Sequence, residues 1–333
     1  MKLRLLAFTQ RGYDLARTLG EKLGGEASRC GRGCTLESWT AEGFCAGESL
    51  VFVGAVGIAV RAIAPLVKKK TADPAVVVVD EGGNYAIPIL SGHLGGANDL
   101  ARQIAAVCAA QAVITTATDV RGLFPVDQWA RCQGLRVENP EKIKGVSAKV
   151  LAGETIRVKS FCPVGGTLPM GVELTQEEDC DVEISCRPGE GAALHLVPPA
   201  AVLGVGCKRG TEQQALEQAF VSLLAREALS PLAVNKVCSI DLKANEPGLL
   251  AFCEAHGLAL ETYCAEELEA VPGKFPASDF VRKVTGVDNV CQRAAALGSG
   301  GGAEELLGEK YQREGITMAL AMRTPELDWR IYE

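Results

Sequence analysis

The chain has 333 residues, of which 47% are hydrophobic and 23% charged, and a formal net charge of −7. That length exceeds one ordinary core and points to two or three domains, while the negative balance argues against a general binder of nucleic acid or anionic membrane. Aromatics at 5% leave few stacking platforms for single-stranded nucleic acid, no apolar run reaches membrane-spanning length, and the basic start has too short an apolar part for a signal peptide. The expectation is a cytoplasmic protein with no nucleic-acid or membrane partner. Its 13 cysteines would then stay reduced. Cys30 and Cys34 with Cys45 could begin a metal site, but no matching second pair follows, so free thiols are expected.

Residues 3–8 read as a strand. Thr9 and Gln10 open a helix carrying Leu15, Leu19 and Leu23, and Gly24-Gly25 stops it. Residues 26–49 hold at most a short strand near 36–39. Residues 51–53 form a strand that meets Gly54 and Gly57, and a helix-like stretch through Ile63 places Arg61 one turn after Gly57. Lys68-Lys69-Lys70 is either a solvated helix end or a basic rim that attracts carboxylates. Residues 76–79 and 85–90 flank a Gly82-Gly83 turn, which predicts one antiparallel pair.

The second run ends at Ser91, Gly92, His93, Gly95 and Gly96, ahead of a helix with Leu100, Ile104, Val107 and Cys108 on one face. A third β-branched run, 113–116, leads into Thr118, Asp119 and Gly122. Buried strands alternating with helices mark a doubly wound, mostly parallel sheet, whose ligands bind at the carboxyl ends of the strands. All three polar clusters are expected at such ends.

Residues 136–200 change texture: a short helix near 140–151, then short strands at 155–160, 182–185 and 193–197, with Glu177-Glu178-Asp179 as a solvated acidic turn. Residues 201–205 restart a strand, followed by Lys208, Arg209, Gly210 and Thr211 and a helix with Leu216, Phe220, Leu223 and Leu224 on one face. Thr211 and Gln214 fit a capping box. Strand, glycine turn and helix start together suggest an anion site, or only a tight turn with exposed basic residues. It is neither a Walker A loop nor a dinucleotide fingerprint. After the next strand, Lys243 and Glu246 either pair on the surface or present one group to a ligand. Residues 299–302 precede a further helix, and 310–311 and 316–322 are the last strands. The fold class is α/β, in three domains: an N-terminal doubly wound, mostly parallel domain (1–135), a small α+β linker domain (136–200) and a C-terminal three-layer α/β domain (201–333).

The stretches SGHLGGAN (91–98), ITTATD (114–119) and RAIAP (61–65) together resemble the CbiG family of anaerobic cobalamin biosynthesis. The resemblance is dense over 51–127 and resumes at 204–211, 239–249, 286–297 and 315–321. It implies a cobalt-precorrin-5A hydrolase: water opens a δ-lactone on a cobalt-bearing macrocycle, and a bridging carbon leaves with its methyl as acetaldehyde, giving cobalt-precorrin-5B. The cobalt belongs to the substrate, so no cofactor or resident metal is implied. The partners would be the cobalt-containing tetrapyrrole and neighbouring pathway enzymes. Gln292 stands where a family carboxylate would follow the cysteine, which weakens a catalytic role there.

Such a reaction needs an activated water, donors for an oxyanion and proton transfer as a carbon–carbon bond breaks. Of three histidines only His93 lies at a glycine-rich strand end, and its unperturbed pKa of about 6.5 suits acid–base work. It is either catalytic, a plain substrate contact, or an orderer of its loop. The amides near Gly92 to Gly96 could hold the oxyanion. Asp119 either faces the ligand, orients His93, or closes a turn through its own backbone. No nucleophile elbow is present. Substrate contacts are assigned to Gly54, Gly57, Ser91, Gly92, Gly95, Gly96, Asn98, Thr211 and Lys243, with Arg61, Lys208 and Arg209 as carboxylate partners that could act from a cleft between domains. The other readings are a non-catalytic tetrapyrrole-binding or handover module, and a phosphate or nucleotide binder built on residues 208–211.

Overall fold

A computed structural model describes residues 2–31, 33–69, 72–189 and 191–330. The chain divides into two compact units, residues 1–131 with 143–154 and residues 132–142 with 155–333. Lys70 of the lysine run lies outside the described residues.

The first unit is built on a six-stranded sheet of order β2-β1-β3-β4-β5-β6. Its elements are β1 (Leu3–Ala7), α1 (Gln10–Leu23), β2 (Gly25–Arg29), α2 (Leu36–Cys45), β3 (Ser49–Val53), α3 (Val56–Ile63), β4 (Val76–Val79), β5 (Tyr85–Leu90), α4 (Ala97–Cys108) and β6 (Gln111–Ala112), then α5 (Ala117–Val120), α6 (Val126–Cys132) and α7 (Ile143–Ala152). The Thr9 hydroxyl accepts from the Gly12 amide to start α1, and Gly24 in the left-handed region (φ 74) ends it. Alternate strand residues face opposite ways, so each sheet face has its own core. Leu5, Ala7, Val51, Val53, Val77 and Val79 pack on α1 and α4. Leu6, Leu50, Phe52, Val76 and Val78 pack on Trp39 and Phe44 of α2 and Ala59 and Ile63 of α3. This is the expected double winding.

β1, β2, β3 and β4 run parallel, β5 runs antiparallel to β4, and β6 is parallel to β5. The antiparallel pair is where the glycine turn placed it, with the Asp80 carboxylate accepting from the amides of Gly82, Asn84 and Tyr85. One consequence corrects the expected placement of the polar clusters. Leu90, the carboxyl end of β5, pairs with Val76, the start of β4. The loop after β5 and the turn after β6 therefore share one end of the strands, and Gly54, after β3, lies at the opposite end.

Other local expectations also change. Residues 26–49 contain β2 and the whole of α2, not a short strand at 36–39. The edge strand Gly25–Arg29 has no apolar run to announce it. Gly43 lies so close to β3 that an added Cβ would meet Leu50 Cδ2 at 2.7 Å, so the small residue that weakens the helical pattern is required by packing. The strand expected at 113–116 is only Gln111–Ala112. On α4, Ala97, Ala101 and Ile104 are buried, whereas Val107 is 36% exposed.

The second unit holds two five-stranded sheets. The first, β10-β8-β11-β12-β7, is formed by β7 (Arg136–Val137), β8 (Ile156–Ser160), β10 (Val172–Leu174), β11 (Val182–Ile184) and β12 (Leu194–Val197); β9 (Val164–Gly165) pairs separately with β18 (Leu327–Asp328). The segment read as a linker domain thus has a sheet of its own, inside the same compact unit as the last third of the chain. Its acidic turn is solvated, with Glu178 on Lys159 and Asp179 on Arg157.

The second sheet, β15-β14-β13-β17-β16, comprises β13 (Ala201–Cys207), β14 (Val234–Ile240), β15 (Ala259–Tyr263), β16 (Leu306–Arg313) and β17 (Ile316–Met322). Helices α8 (Gln213–Glu227) and α9 (Pro247–His256) cover one face through Leu216, Phe220, Leu223, Leu249 and Phe252. After α10 (Ala265–Glu269) and α11 (Asp279–Thr285), α12 (Val290–Ser299) covers the other through Cys291, Ala294 and Ala295. These are the three layers the sequence implied. At Gly204 of β13 an added Cβ would collide with the Cys291 carbonyl, so the first turn of α12 rests directly on the strand. Two details differ. Thr211 donates its hydroxyl to the Lys208 carbonyl and Glu212 is the N-cap of α8, so there is no Thr211–Gln214 capping box. Residues 299–302 close α12, with Gly300 as its left-handed cap, and the helix that follows them is only the three-residue 3-10 turn Ala303–Glu305.

Candidate functional site

The reversal of β5 brings His93 and Asp119 together. Ser91 takes a left-handed conformation (φ 55) and its hydroxyl donates to the Asp73 carbonyl, which turns the chain after β5. The amides of Gly96, Ala97 and Asn98 donate to the carbonyls of His93, Ser91 and Gly92. Of the amides between Gly92 and Gly96, that of Gly96 is therefore already engaged within the loop. Gly92 and Gly95 are needed for close packing: a Cβ at Gly92 would meet Asn98 Oδ1 at 2.7 Å, and one at Gly95 would collide with Ser91.

His93 is 6% exposed, with Nε2 2.8 Å from Asp119 Oδ2 and Nδ1 3.0 Å from Asp127 Oδ1. A carboxylate on each ring nitrogen is satisfied on both sides only by the doubly protonated ring. Burial alone would lower the His93 pKa, but the hydrogen bonds and charges of Asp127 and Asp119 outweigh it and raise it. Asp119 is also bonded by Arg102 Nη2 at 2.5 Å and Asn98 Nδ2 at 3.1 Å. Burial pushes its carboxyl up, and His93 and Arg102 more than reverse this, leaving it below its ordinary value. Asn98, 1% exposed, also donates to Thr116 Oγ1 at 3.0 Å. Arg131 Nε donates to the His93 carbonyl and the same guanidinium pairs with Asp99, tying α6 to the loop.

The pair makes stability pH-dependent. His93 has a raised folded pKa, so its contribution is complete below about pH 6.5 and fades as pH rises through that folded value. Asp119 has a lowered one, so its contribution is complete above about pH 3.9 and fades as pH falls through the folded value. The urea midpoint of the wild type should exceed that of His93→Gln most between about pH 4 and 6.5, with the gap narrowing at alkaline pH. A gap constant from pH 5 to 9 would contradict a charged His93.

The remaining candidates separate. Gly54 is at the other end of the strands of the first sheet, where an added Cβ would meet Phe8 at 2.8 Å. Gly57 lies open on α3, and Arg61 Nη1 reaches back to the Gly57 carbonyl at 3.5 Å beside a hollow of about 480 Å³ lined by Leu36, Glu37 and Leu66. Neither Gly57 nor Arg61 takes part in the His93 network. In the second unit, Lys208, Arg209 and Lys243 do converge, on a crevice of about 760 Å³ at the carboxyl ends of β13 and β14. Thr211 is not in its lining; its hydroxyl closes the turn below. Lys243 Nζ is 2.8 Å from Glu246, whose other oxygen accepts from the Gly210 amide at 2.6 Å. Pairing with Lys243 is the chief reason the Glu246 carboxyl is lowered. This carboxylate joins the loop after β13 to the turn after β14.

Several members of both sites were missed. Asp127, Arg102, Thr116 and Arg131 belong to the first, and Lys310, Asn289 and Asp288 to the second. The one local signal was Asp99–Arg102 at helical spacing. Gln292 is buried, and its amide oxygen accepts from Asn289 at 2.7 Å in the first turn of α12, a bonded neutral group where a carboxylate was expected. Among the described residues the 13 cysteines are free, and no group of three or more His, Cys, Asp or Glu is placed to hold a metal ion. Among them, too, no helix is long and apolar enough to cross a membrane.

Two family models match the chain. Residues 38–119 match the cobalamin synthesis G N-terminal model and residues 201–321 the cobalamin synthesis G C-terminus model. A curated cobalt-precorrin-5A hydrolase from Salmonella typhimurium is 36% identical over 296 residues, 84% of this chain and 84% of the relative. One from Priestia megaterium is 35% identical over 294 residues, 82% of this chain and 78% of the relative. His93 and Asp119 fall within the first matched region, and Lys208, Arg209, Lys243 and Lys310 within the second. With both models matched in order and identity sustained across nearly the whole length, the chain belongs to the cobalamin synthesis G family.

Proposed function

We propose that the protein is a cobalt-precorrin-5A hydrolase, opening the δ-lactone and releasing the two-carbon unit as acetaldehyde to leave cobalt-precorrin-5B. The observation that carries this reading is the sustained identity to two curated relatives of that name. The geometry supports it through His93, a buried imidazole between two carboxylates. Water adds to the lactone carbonyl carbon and its proton leaves to solvent as the new carboxyl ionises; His93, held as the charged acid, supplies a proton to the ring oxygen that departs, and Asp119 keeps the imidazole oriented. The hydroxyl so formed then loses its proton while the carbon–carbon bond breaks. The bonding pair passes into the conjugated ring, and the neutral imidazole is the group that takes the proton. Cobalt enters and leaves with the substrate.

A second reading, a handover protein that holds the macrocycle without reacting it, draws on one fact: both ring nitrogens of His93 are already engaged. Anaerobic incubation with cobalt-precorrin-5A separates the two. Acetaldehyde, read with a coupled reductase, together with a product mass lower by the two-carbon unit is expected for the hydrolase. Binding without acetaldehyde would leave the handover reading.

A further inference from the structure

The crevice of the second unit carries more than the three basic residues read from the sequence. A fourth cation, Lys310, enters from β16. Against these four the lining offers one carboxylate, Asp288, which is already bonded to Arg282 Nη2 at 3.0 Å and Arg293 Nε at 3.0 Å. Among the described residues, Lys208 and Lys310 form no ion pair, whereas Lys243 pairs with Glu246, on which the Arg209 charge also acts. With Lys208 and Lys310 in no ion pair, the hollow carries a surplus of positive charge that points to a ligand with several anionic groups. Part of the wall is apolar and open: Phe280 is 74% exposed, Val284 61% and Leu242 64%. Phe280 and Val284 are four apart on α11 and so share a face. Large side chains left this exposed beside a pocket mark a binding surface.

We propose that Phe280 and Val284 of α11, with Leu242 across the crevice and Lys310 beside Lys208 and Arg209, determine substrate specificity by holding one apolar face and several edge carboxylates of a flat macrocycle. The proposal rests on the tetrapyrrole reading above and adds the residues and the unit that perform the recognition. An apolar plate rimmed by carboxylates matches both halves of the lining, and a volume of about 760 Å³ accepts a large part of one. A small polycarboxylate would meet only the cations, and an uncharged flat ring only the apolar wall. The helix that presents Phe280 and Val284 is held in place at both ends of its first turn, because Ser278 caps α11 through the Val281 amide and Arg282 ties it to Asp288.

The test uses the full-length protein with an octacarboxylate porphyrin, its octamethyl ester and citrate as probes, read by fluorescence quenching or calorimetry. The porphyrin should bind, with affinity falling as salt rises, and the ester and citrate should bind at least about 10-fold more weakly. Phe280→Ser and Lys310→Ala should each weaken porphyrin binding about 10-fold, and in the turnover assay should raise KM by more than they lower kcat. Both side chains reach solvent or the crevice, so melting temperature should hold, and Phe280→Leu should restore most of the affinity. Turnover with unchanged KM in both variants would overturn this proposal and leave the hydrolase reading standing. Loss of porphyrin binding in the variants with no acetaldehyde from the wild type would do the reverse.

Discussion

Replacing His93 with alanine is expected to lower kcat on cobalt-precorrin-5A by at least about 100-fold, the usual contribution of a positioned acid or base. Affinity should change little, because the crevice of the second unit holds the cations that match the carboxylates. The same substitution removes the cation between two buried carboxylates, and breaking such an arrangement costs about 3–5 kcal/mol. A fall in melting temperature is therefore part of the expected result and does not by itself identify chemistry. His93→Gln separates the two effects. Its amide fills much of the same volume and donates to one carboxylate, but it cannot carry a proton between pH 5 and 9. If glutamine recovers part of the stability that alanine loses and none of the turnover, His93 handles a proton. If glutamine restores both, His93 orders its loop and the acid lies elsewhere. Asp119→Asn should fall between, since its one amide oxygen can still accept from Arg102 while the charge facing His93 and the bond from Asn98 are lost.

The second large effect is expected from charge reversal in the crevice. Lys208→Glu combined with Arg209→Glu should weaken substrate binding by at least about 100-fold, since a hydrogen bond to a charged group is worth about 10- to 100-fold in affinity. Reversal adds repulsion, and Lys208 has no ion-pair partner among the described residues to absorb the change. Arg61→Ala is the comparison: it lies on α3 beside a hollow of the first unit and bonds back to its own helix, so a much smaller effect is expected. Equal losses at Arg61 and at the crevice pair would refute this assignment. Higher salt should weaken wild-type binding more than binding by the doubly reversed variant.

What could be read from the sequence follows from what is local. α1 was bounded within a residue because Thr9 and Gly24 carry their own capping chemistry. The antiparallel pair was legible from Gly82-Gly83, and α8, on one face of the second sheet, from its apolar spacing, whereas α12 on the other face was not read. His93 and Asp119 were each found as polar residues after an apolar run, and they lie 2.8 Å apart. Asp127 was not found, because it sits inside an amphipathic helix and only the fold turns it inward, to 1% exposure. Lys310 was read merely as part of a strand, since no pattern shows that β16, separated from β13 by β17, brings it to the same crevice. The shared placement of Gly54 with His93 was expected from a rule for parallel strands, and one reversed pair moved them to opposite ends of the strands. α2 was missed because Gly43 answers to a contact with Leu50, a residue outside its own helix.

The reversal at β5 also bears on how this region assembles. β4, β5, α4, β6 and the turn carrying Asp119 follow one another along the chain, and the His93 network closes within residues 91–131. Few long loops have to be closed to bring its members together, so contact order is low and the entropy of closure small. β1 and β3, by contrast, pair across an intervening strand and two helices. The region around His93 thus has the makings of a foldon that forms early and opens as one piece. A fault in the hairpin at residues 80–84 would then misplace the imidazole and both of its carboxylates together.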